Sequence, residues 1–462
     1  MKASNVPIVA AVYDSEVMSS GLELALSCHY RVATEASSFH FPDAKFGHMP
    51  YSSGTQLLPR LIGIEPALEM LLDGKLITGE DAVSMNLIDK IIGDGPFEDF
   101  VKKVERFALS KKVQSSNLKE KSAVTRMPFF ASSGSSSSSY FSKRKELYQD
   151  GISNVELSII KAVEASTTLS LSDGLVNEIL LSQKLLGSKE TKAFQYLYFA
   201  EKRYDINQHQ EKVVVGDLVY YEWRSKNEQE DVSFSEEMLK VGNKMIEACA
   251  IECFIMLEEG ADIRDIQAVL RDDIGFNKDT MNFWKMFELL DGELVGTRND
   301  RKNLLDSLKI ARESQGIEAK NFERQEIFER ALYPLVNVGF KALEKSTDMV
   351  ALDEDNNRDD EYYKDDEDFD IDCFPNPDEV DLMFVKKFGF PAKLGGPLFW
   401  AEKDKSLQEL LLGILKYNEI YKDNRRWIPS VLLKEVVRSG ASIQEELFFQ
   451  RSKSKSKKSL QI

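Results

Sequence analysis

"SSGLELALSCHYRVATEASSFHFPDAKFGHMP", residues 19–50, decides how the first part of this 462-residue chain is read. Within it "LELALSC" is an apolar helix that begins near Gly21, and "YRVAT" and "SFHF" read as short strands. Two carboxylates stand out. Glu23 lies at the mouth of the helix, and Asp43 follows the alternating run from Ser38 to Pro42. Upstream, "PIVAAVY" (7–13) is short, apolar and bounded by Pro7 and Asp14, which predicts a buried parallel strand. Downstream, "SGTQLLPRLIG" and "PALEMLLDG" read as helices stopped by Gly63 and Gly74. "TGEDAVSMNLIDKII" reads as a helix capped by Thr78, then a strand. Strand and helix therefore alternate over 7–92, the pattern of an α/β layer.

"FEDFVKKVERFALSKK" is an amphipathic helix, and residues 1–120 make the first domain. The serine run "ASSGSSSSSYFS" (131–142) buries too little apolar surface to order itself and is expected to be a flexible loop. With the helices from Val155 to Arg203 it makes a connecting segment, 121–205. Residues 206–235 read as a polar linker with one apolar patch, "VVVGDLVYY". A helical region follows over 236–345, with a long helix ending at Gly260 and a second over 323–345 that Pro334 is expected to kink. Residues 346–378 form an acidic insertion, 379–450 resume the helices, and 451–462 form a basic tail expected to be disordered.

Net charge is -17 and argues against a general nucleic-acid binder. Twelve acids between Asp353 and Asp372, against Arg358 and Lys364, carry much of that charge, and no calcium-loop spacing occurs among them. No stretch is apolar for the roughly 18 residues a membrane helix needs. The four cysteines do not make a disulfide framework, and Cys249 and Cys253 read as small buried residues on one helix face. No histidine shows metal-ligand spacing, so no metal is expected. With no signal-peptide pattern, an intracellular, reducing compartment is expected.

The blocks "VPIVAAV", "GLELALSCHYRVA", "GTQLLPRLIG", "ALEMLLDGKLITGEDA" and "NLIDKII" resemble, in this order, the crotonase superfamily. Within it they are most like the hydratase half of the peroxisomal bifunctional enzymes of fatty-acid β-oxidation. "TKAFQYLYFAEKR" (191–203) resembles the segment joining the halves of those enzymes. "VGNKMIEACAIECFIMLEEGADIRDIQAVLRDDIGF", "EIFERALYPLVNVGFKALE" and "VDLMFVKKFGFPAKLGGPLFWAE" resemble the helical C-terminal modules of 3-hydroxyacyl-CoA dehydrogenase. The implied fold is an incomplete crotonase-like α/β layer followed by all-helical modules. Six residues precede Pro7, so the strands and first oxyanion donor that the family places upstream are expected to be missing. No G-x-G-x-x-G occurs, so the NAD-binding domain is expected to be missing, with 206–235 in its place.

The resemblance also implies site residues. Hydration of a 2-enoyl thioester needs water delivered to C3, a proton to C2 and amide donors on the thioester oxygen. Glu23 matches the first family glutamate, and Asp43 stands where the second belongs, one methylene shorter. Ser20 and Gly21 fall in the donor run G-G-G-x-E, with Ser20 at the donating glycine. "HMPYSSGTQ" replaces a glycine-rich turn, and Asn243 and Asn337 match dehydrogenase asparagines. Each acid also has a structural reading, Glu23 as a partner of the helix dipole and Asp43 as a turn residue. The function expected is at most weak enoyl-CoA hydration without dehydrogenase activity. The alternatives are a non-catalytic acyl-CoA-binding or partner-binding protein, pairing with a full-length relative, and an active enzyme whose frame begins upstream. The family location is the peroxisome, but the chain ends "KKSLQI" rather than in the serine-lysine-leucine address, which leaves the cytoplasm as the alternative. No 3-hydroxyacyl-CoA should reduce NAD in the presence of this protein, and micromolar NAD binding in a calorimeter would contradict that expectation.

Overall fold

The computed structural model describes residues 6–93, 95–110, 113, 137–147, 153–215, 218–223, 232–277, 281, 285–286, 298–314, 316, 320–344, 375–421 and 425–459. The chain divides into two units, Met1–Gln195 and Tyr196–Ile462.

In the first unit β1 (Val9–Val12), β2 (Glu16–Met18), α1 (Ser19–Leu26), β3 (Tyr30–Ala33) and β4 (Ser38–His40) follow in quick succession. Then come α2 (Gly54–Ile62), α3 (Ile64–Leu72), β5 (Ile77–Thr78), α4 (Gly79–Ser84), β6 (Lys90–Ile91) and α5 (Phe97–Ala108). β3 is the middle strand of a parallel sheet ordered β1-β3-β6, and β2-β4-β5 form a second small sheet. The α/β layer read from the sequence is therefore present. Thr78 caps α4 as expected, its hydroxyl accepting from the Asp81 amide.

β1 pairs parallel with β3, as expected, and departs from its expectation only in being less than fully buried. It lies on the sheet edge among the described residues, with Val9, Ala10 and Val12 half-buried and Ala11 exposed, whereas every residue of β3 is buried. Apolar composition alone could not tell an edge from a centre.

The serine run also differs. Residues 131–136 lie outside the described residues, but α6 (Ser137–Leu147) takes up the rest of the run as helix. Phe141 is fully buried there, worth about 1.5–3 kcal/mol, which outweighs the modest helix propensity of serine. α7 (Asn154–Thr168) and α8 (Leu171–Leu185) follow, then α9 (Lys189–His209), whose first residues belong to this unit. These helices do more than connect. Phe141, Ile159, Ile160, Val163 and Leu185 share one core with Leu22, Leu26, Phe39, Leu58 and Leu68.

In the second unit the segment read as a linker contains an antiparallel hairpin, β7 (Gln210–Val215) and β8 (Leu218–Trp223). The remaining elements are helical: α10 (Glu236–Glu259), α11 (Ile263–Ala268), α12 (Arg298–Ser314), α13 (Arg324–Glu344), α14 (Pro377–Phe388), α15 (Pro397–Trp400), α16 (Leu407–Ile420), α17 (Val431–Ser439) and α18 (Ile443–Ser459). α10 starts at Ser235, whose hydroxyl accepts from the Met238 amide, and stops at Gly260 (φ 108°). α13 runs through Pro334 as one helix. Residues 346–374 of the acidic insertion lie outside the described residues, and its last part opens α14.

The basic tail is not free of structure. The backbone of α18 stays helical to Ser459, anchored by Ile443 and Leu447 and by Arg451, which donates to the Pro375 carbonyl and to Asn376, both at 2.8 Å.

One close approach in the first unit sets how α8 lies on α2. A Cβ on Gly174 of α8 would lie 2.1 Å from Oε1 of Gln56 on α2. Gly174→Ala should push α8 off α2 and lower stability by about 1–3 kcal/mol, read from thermal melts. An unchanged melting temperature would contradict this packing.

Candidate active site

The chain enters α1 through Ser19, which has a left-handed backbone (φ 45°). Met18 at the N-cap has no side chain able to cap, so the Ser20 and Gly21 amides sit in a first turn that offers them no carbonyl. Both residues are exposed. Leu22 and Glu23 turn inward. Glu23 is only 3% exposed, a costly place for a charge unless it is hydrogen-bonded. Its Oε1 accepts from two backbone amides, Ser52 at 2.9 Å and Gly54 at 2.7 Å. Burial raises its pKa to about 7. The two amides oppose the rise, and the Asp43 charge adds to it.

Asp43 opens a short 3-10 turn after Pro42 and is half-buried. Ser19 donates its hydroxyl to Asp43 Oδ2 at 2.9 Å. Burial raises the Asp43 carboxyl above the usual range, against the Ser19 bond, its own backbone amide, His48 and His40. The structure thus brings Glu23, Asp43 and the N-terminal turn of α1 into one neighbourhood. Asn243 belongs to the second unit, where it is exposed on α10. Asn337 is a satisfied core residue. It donates to the carbonyls of Arg426 (3.0 Å) and Ile428 (2.8 Å) and accepts from the Ser430 amide (2.9 Å). Cys249 and Cys253 are buried and free, as expected.

A third carboxylate escaped the sequence reading. Glu178 on α8 is fully buried, and its oxygens accept from the amides of Ser53 (2.7 Å) and Thr55 (2.9 Å) and from the Thr55 hydroxyl. Burial, with the Glu23 charge adding to it, raises its pKa to about 7. The sequence misleads here. Val176, Ile179 and Leu180 look like the core face of α8, yet they are exposed, while Gly174, Glu178, Ser182 and Leu185 face inward.

The turn between the acids is strained. Ser53 has φ 119°, a conformation that favours glycine and costs a side chain about 1–3 kcal/mol. Its buried hydroxyl has no hydrogen-bond partner among the described residues. A separate cavity of about 920 Å³, lined by Tyr30, Arg31, Asn86, Lys103, Arg106 and Phe107 among others, includes none of the three acids. Among the described residues no cluster of His, Cys, Asp and Glu could hold a metal ion, and no helix is long and apolar enough to cross a membrane.

Residues 1–128 match the enoyl-CoA hydratase/isomerase family. The peroxisomal bifunctional enzyme of Cavia porcellus is 31% identical over 198 residues, 42% of this chain and 26% of that protein. The glyoxysomal fatty acid beta-oxidation multifunctional protein MFP-a of Cucumis sativus is 40% identical over 108 residues, 23% of this chain and 14% of that protein. The match thus spans about a quarter, or less, of the length of these relatives. A crystal structure of enoyl-CoA hydratase/isomerase from Pseudoalteromonas atlantica T6c is 20% identical, covering 42% of this chain and 62% of that one, with a TM-score of 0.28. The family resemblance read from the sequence is supported: the chain is similar to the bifunctional enzymes of fatty-acid β-oxidation.

The raised carboxyls make stability depend on pH. Glu23 and Glu178 titrate at about 7 when folded, against about 4.3 for an unfolded glutamate. Between these values the folded state holds more protons, so the stability present below about pH 4.3 is lost as pH rises to about 7, on the order of 4 kcal/mol per group. Glu23→Gln keeps the Oε1 acceptor and removes the titration. It should raise the melting temperature at pH 8 and shrink the gain seen on going to pH 5. An unchanged pH dependence in calorimetry would contradict the burial of a titrating Glu23.

Proposed function

We propose that the first unit hydrates 2-enoyl-CoA thioesters, weakly, through Glu23 and Asp43. Water adds across the C2–C3 double bond, its oxygen to C3 and a proton to C2, to give a 3-hydroxyacyl thioester. The observation that carries this reading is the buried Glu23, held by two amides beside a second raised carboxylate. A carboxyl near pH 7 can both take and return a proton at neutral pH. The exposed amides of Ser20 and Gly21 supply donors for the thioester oxygen. The match of residues 1–128 to the hydratase/isomerase family supports the same chemistry, and the relatives named peroxisomal and glyoxysomal support a peroxisomal setting.

Two features favour slow turnover. Asp43 is one methylene shorter than the glutamate the family implies, and one of its oxygens accepts from Ser19. Glu23 is nearly closed to solvent. These same features favour the second reading, a protein that binds acyl-CoA without turning it over. In both readings the second unit has no part in hydride transfer.

Crotonyl-CoA hydration by wild type, Glu23→Gln and Asp43→Glu decides between them. Wild type should hydrate slowly and Glu23→Gln should abolish the activity. An oxyanion donor is worth about 10²–10³ in rate, so with serine at position 20 the amide geometry limits turnover. Asp43→Glu should then gain less than about tenfold. Equal rates in wild type and Glu23→Gln would favour the binding reading.

A further inference from the structure

We propose that Glu178 is a positioning residue for Glu23, acting through the turn 52–55 that both acids hold. Only its kinetic consequence rests on the hydratase reading above.

The geometry is an alternation. Four successive amides, Ser52 to Thr55, are shared between two carboxylates. Ser52 and Gly54 donate to Glu23, while Ser53 and Thr55 donate to Glu178. Each amide lies in one rigid plane with the preceding carbonyl, and successive planes are hinged through a single residue's φ and ψ, so in a turn pinned at both ends a rotation at Ser53 is passed to the planes on either side. The Ser53 bond to Glu178 holds Ser53 at φ 119°, a conformation serine does not adopt freely. Without that bond Ser53 relaxes, the Ser52 and Gly54 amides turn with it, and Glu23 loses the donors that fix Oε1. Gly54 leaves little slack, since a Cβ there would lie 3.0 Å from Glu23 Oε1 and 2.7 Å from Pro50.

Glu178 is itself firmly placed. Gly174, one turn earlier, brings α8 against Gln56. Gln56 Nε2 donates to the Ala162 carbonyl at 2.7 Å and to the Thr55 hydroxyl at 3.1 Å, and that hydroxyl donates to Glu178. Among the charged groups, Glu23 bears on Glu178, and Asp43 bears on Glu23, with His40 and His48 facing Asp43. Arg60 of α2 is bonded to the carbonyls of Gln56 and Leu169 and to the Gln56 side chain.

Two coupled acids lose their protons in steps that belong to the pair. The test follows the amide resonances of Ser52 and Gly54 in the full chain by NMR from about pH 5 to 9, a range chosen to bracket neutrality. In wild type both signals should move in two steps. In Glu178→Gln they should move in one and start from shifted positions, and kcat for crotonyl-CoA should fall about 10-fold or more with KM little changed. If Glu178→Gln is folded and the Ser52 and Gly54 titrations match wild type, the proposal is overturned. If it does not fold, Thr55→Val decides, because it removes one donor to Glu178 and leaves Glu23 untouched. It should shift the Ser52 and Gly54 midpoints, and unchanged midpoints would overturn the proposal. A wild type with no hydratase activity would sink the catalytic reading, while the titrations would still decide the positioning.

Discussion

The N-terminal turn of α2 is held by two buried carboxylates from opposite ends of the first unit, and much of the unit follows from that. A helix start leaves several N–H groups without carbonyls, and a buried start must find acceptors for them. Here Glu23 comes from α1 and Glu178 from α8. Each acid offsets its desolvation with amide hydrogen bonds, and each amide is satisfied by an acid. The arrangement ties the α/β layer to the helices beyond the serine run. That is why the core of this unit runs from Leu22 to Leu185 rather than closing near residue 120.

The second unit follows the same rule with other partners. Arg330 is fully buried on α13 and is matched by two acids of α10. It lies 3.1 Å from Glu252 and 2.8 Å from Glu259. Trp427 donates to the remaining oxygen of Glu252. Asp381 is buried on α14 and accepts from the amides of Leu398 and Phe399 and from the Tyr196 hydroxyl. Removing one member of such a group strands a buried charge, which is more costly than the intact group is stabilising. These clusters therefore fix how the helices register on one another.

Raised carboxyls have a cost at neutral pH, and the first unit bears it at the position where chemistry would need it. Perturbed acids collect at functional sites and also at structural anchors. Glu23 is an anchor of α2 through the two amides on its Oε1, and in the proposed hydration it serves as both. Glu178 has three donors and no open oxygen, which marks it as support. Asp43 is the member in contact with a hydroxyl from the first turn of α1, so in the proposed hydration its reach and its hydrogen bond bear most directly on turnover.

The sequence alone determined the alternation of strands and helices over 7–92, the Thr78 cap and the stop at Gly260, while the family resemblance implied that Glu23 and Asp43 belong together. Each of these is local, set by periodicity, capping chemistry or a motif of fixed spacing. The tertiary structure decided what depends on distant partners. β1 is only half-buried because, among the described residues, it has a strand on one side alone, and pairing rather than composition sets how far a strand is covered. Part of the serine run became helix because Phe141 found a core to enter. α8 turned its apolar stripe outward because Glu178 meets amides 123 and 125 residues away. No pattern within a helix can signal that, because the free energy that buries an acid comes from donors supplied by another part of the chain.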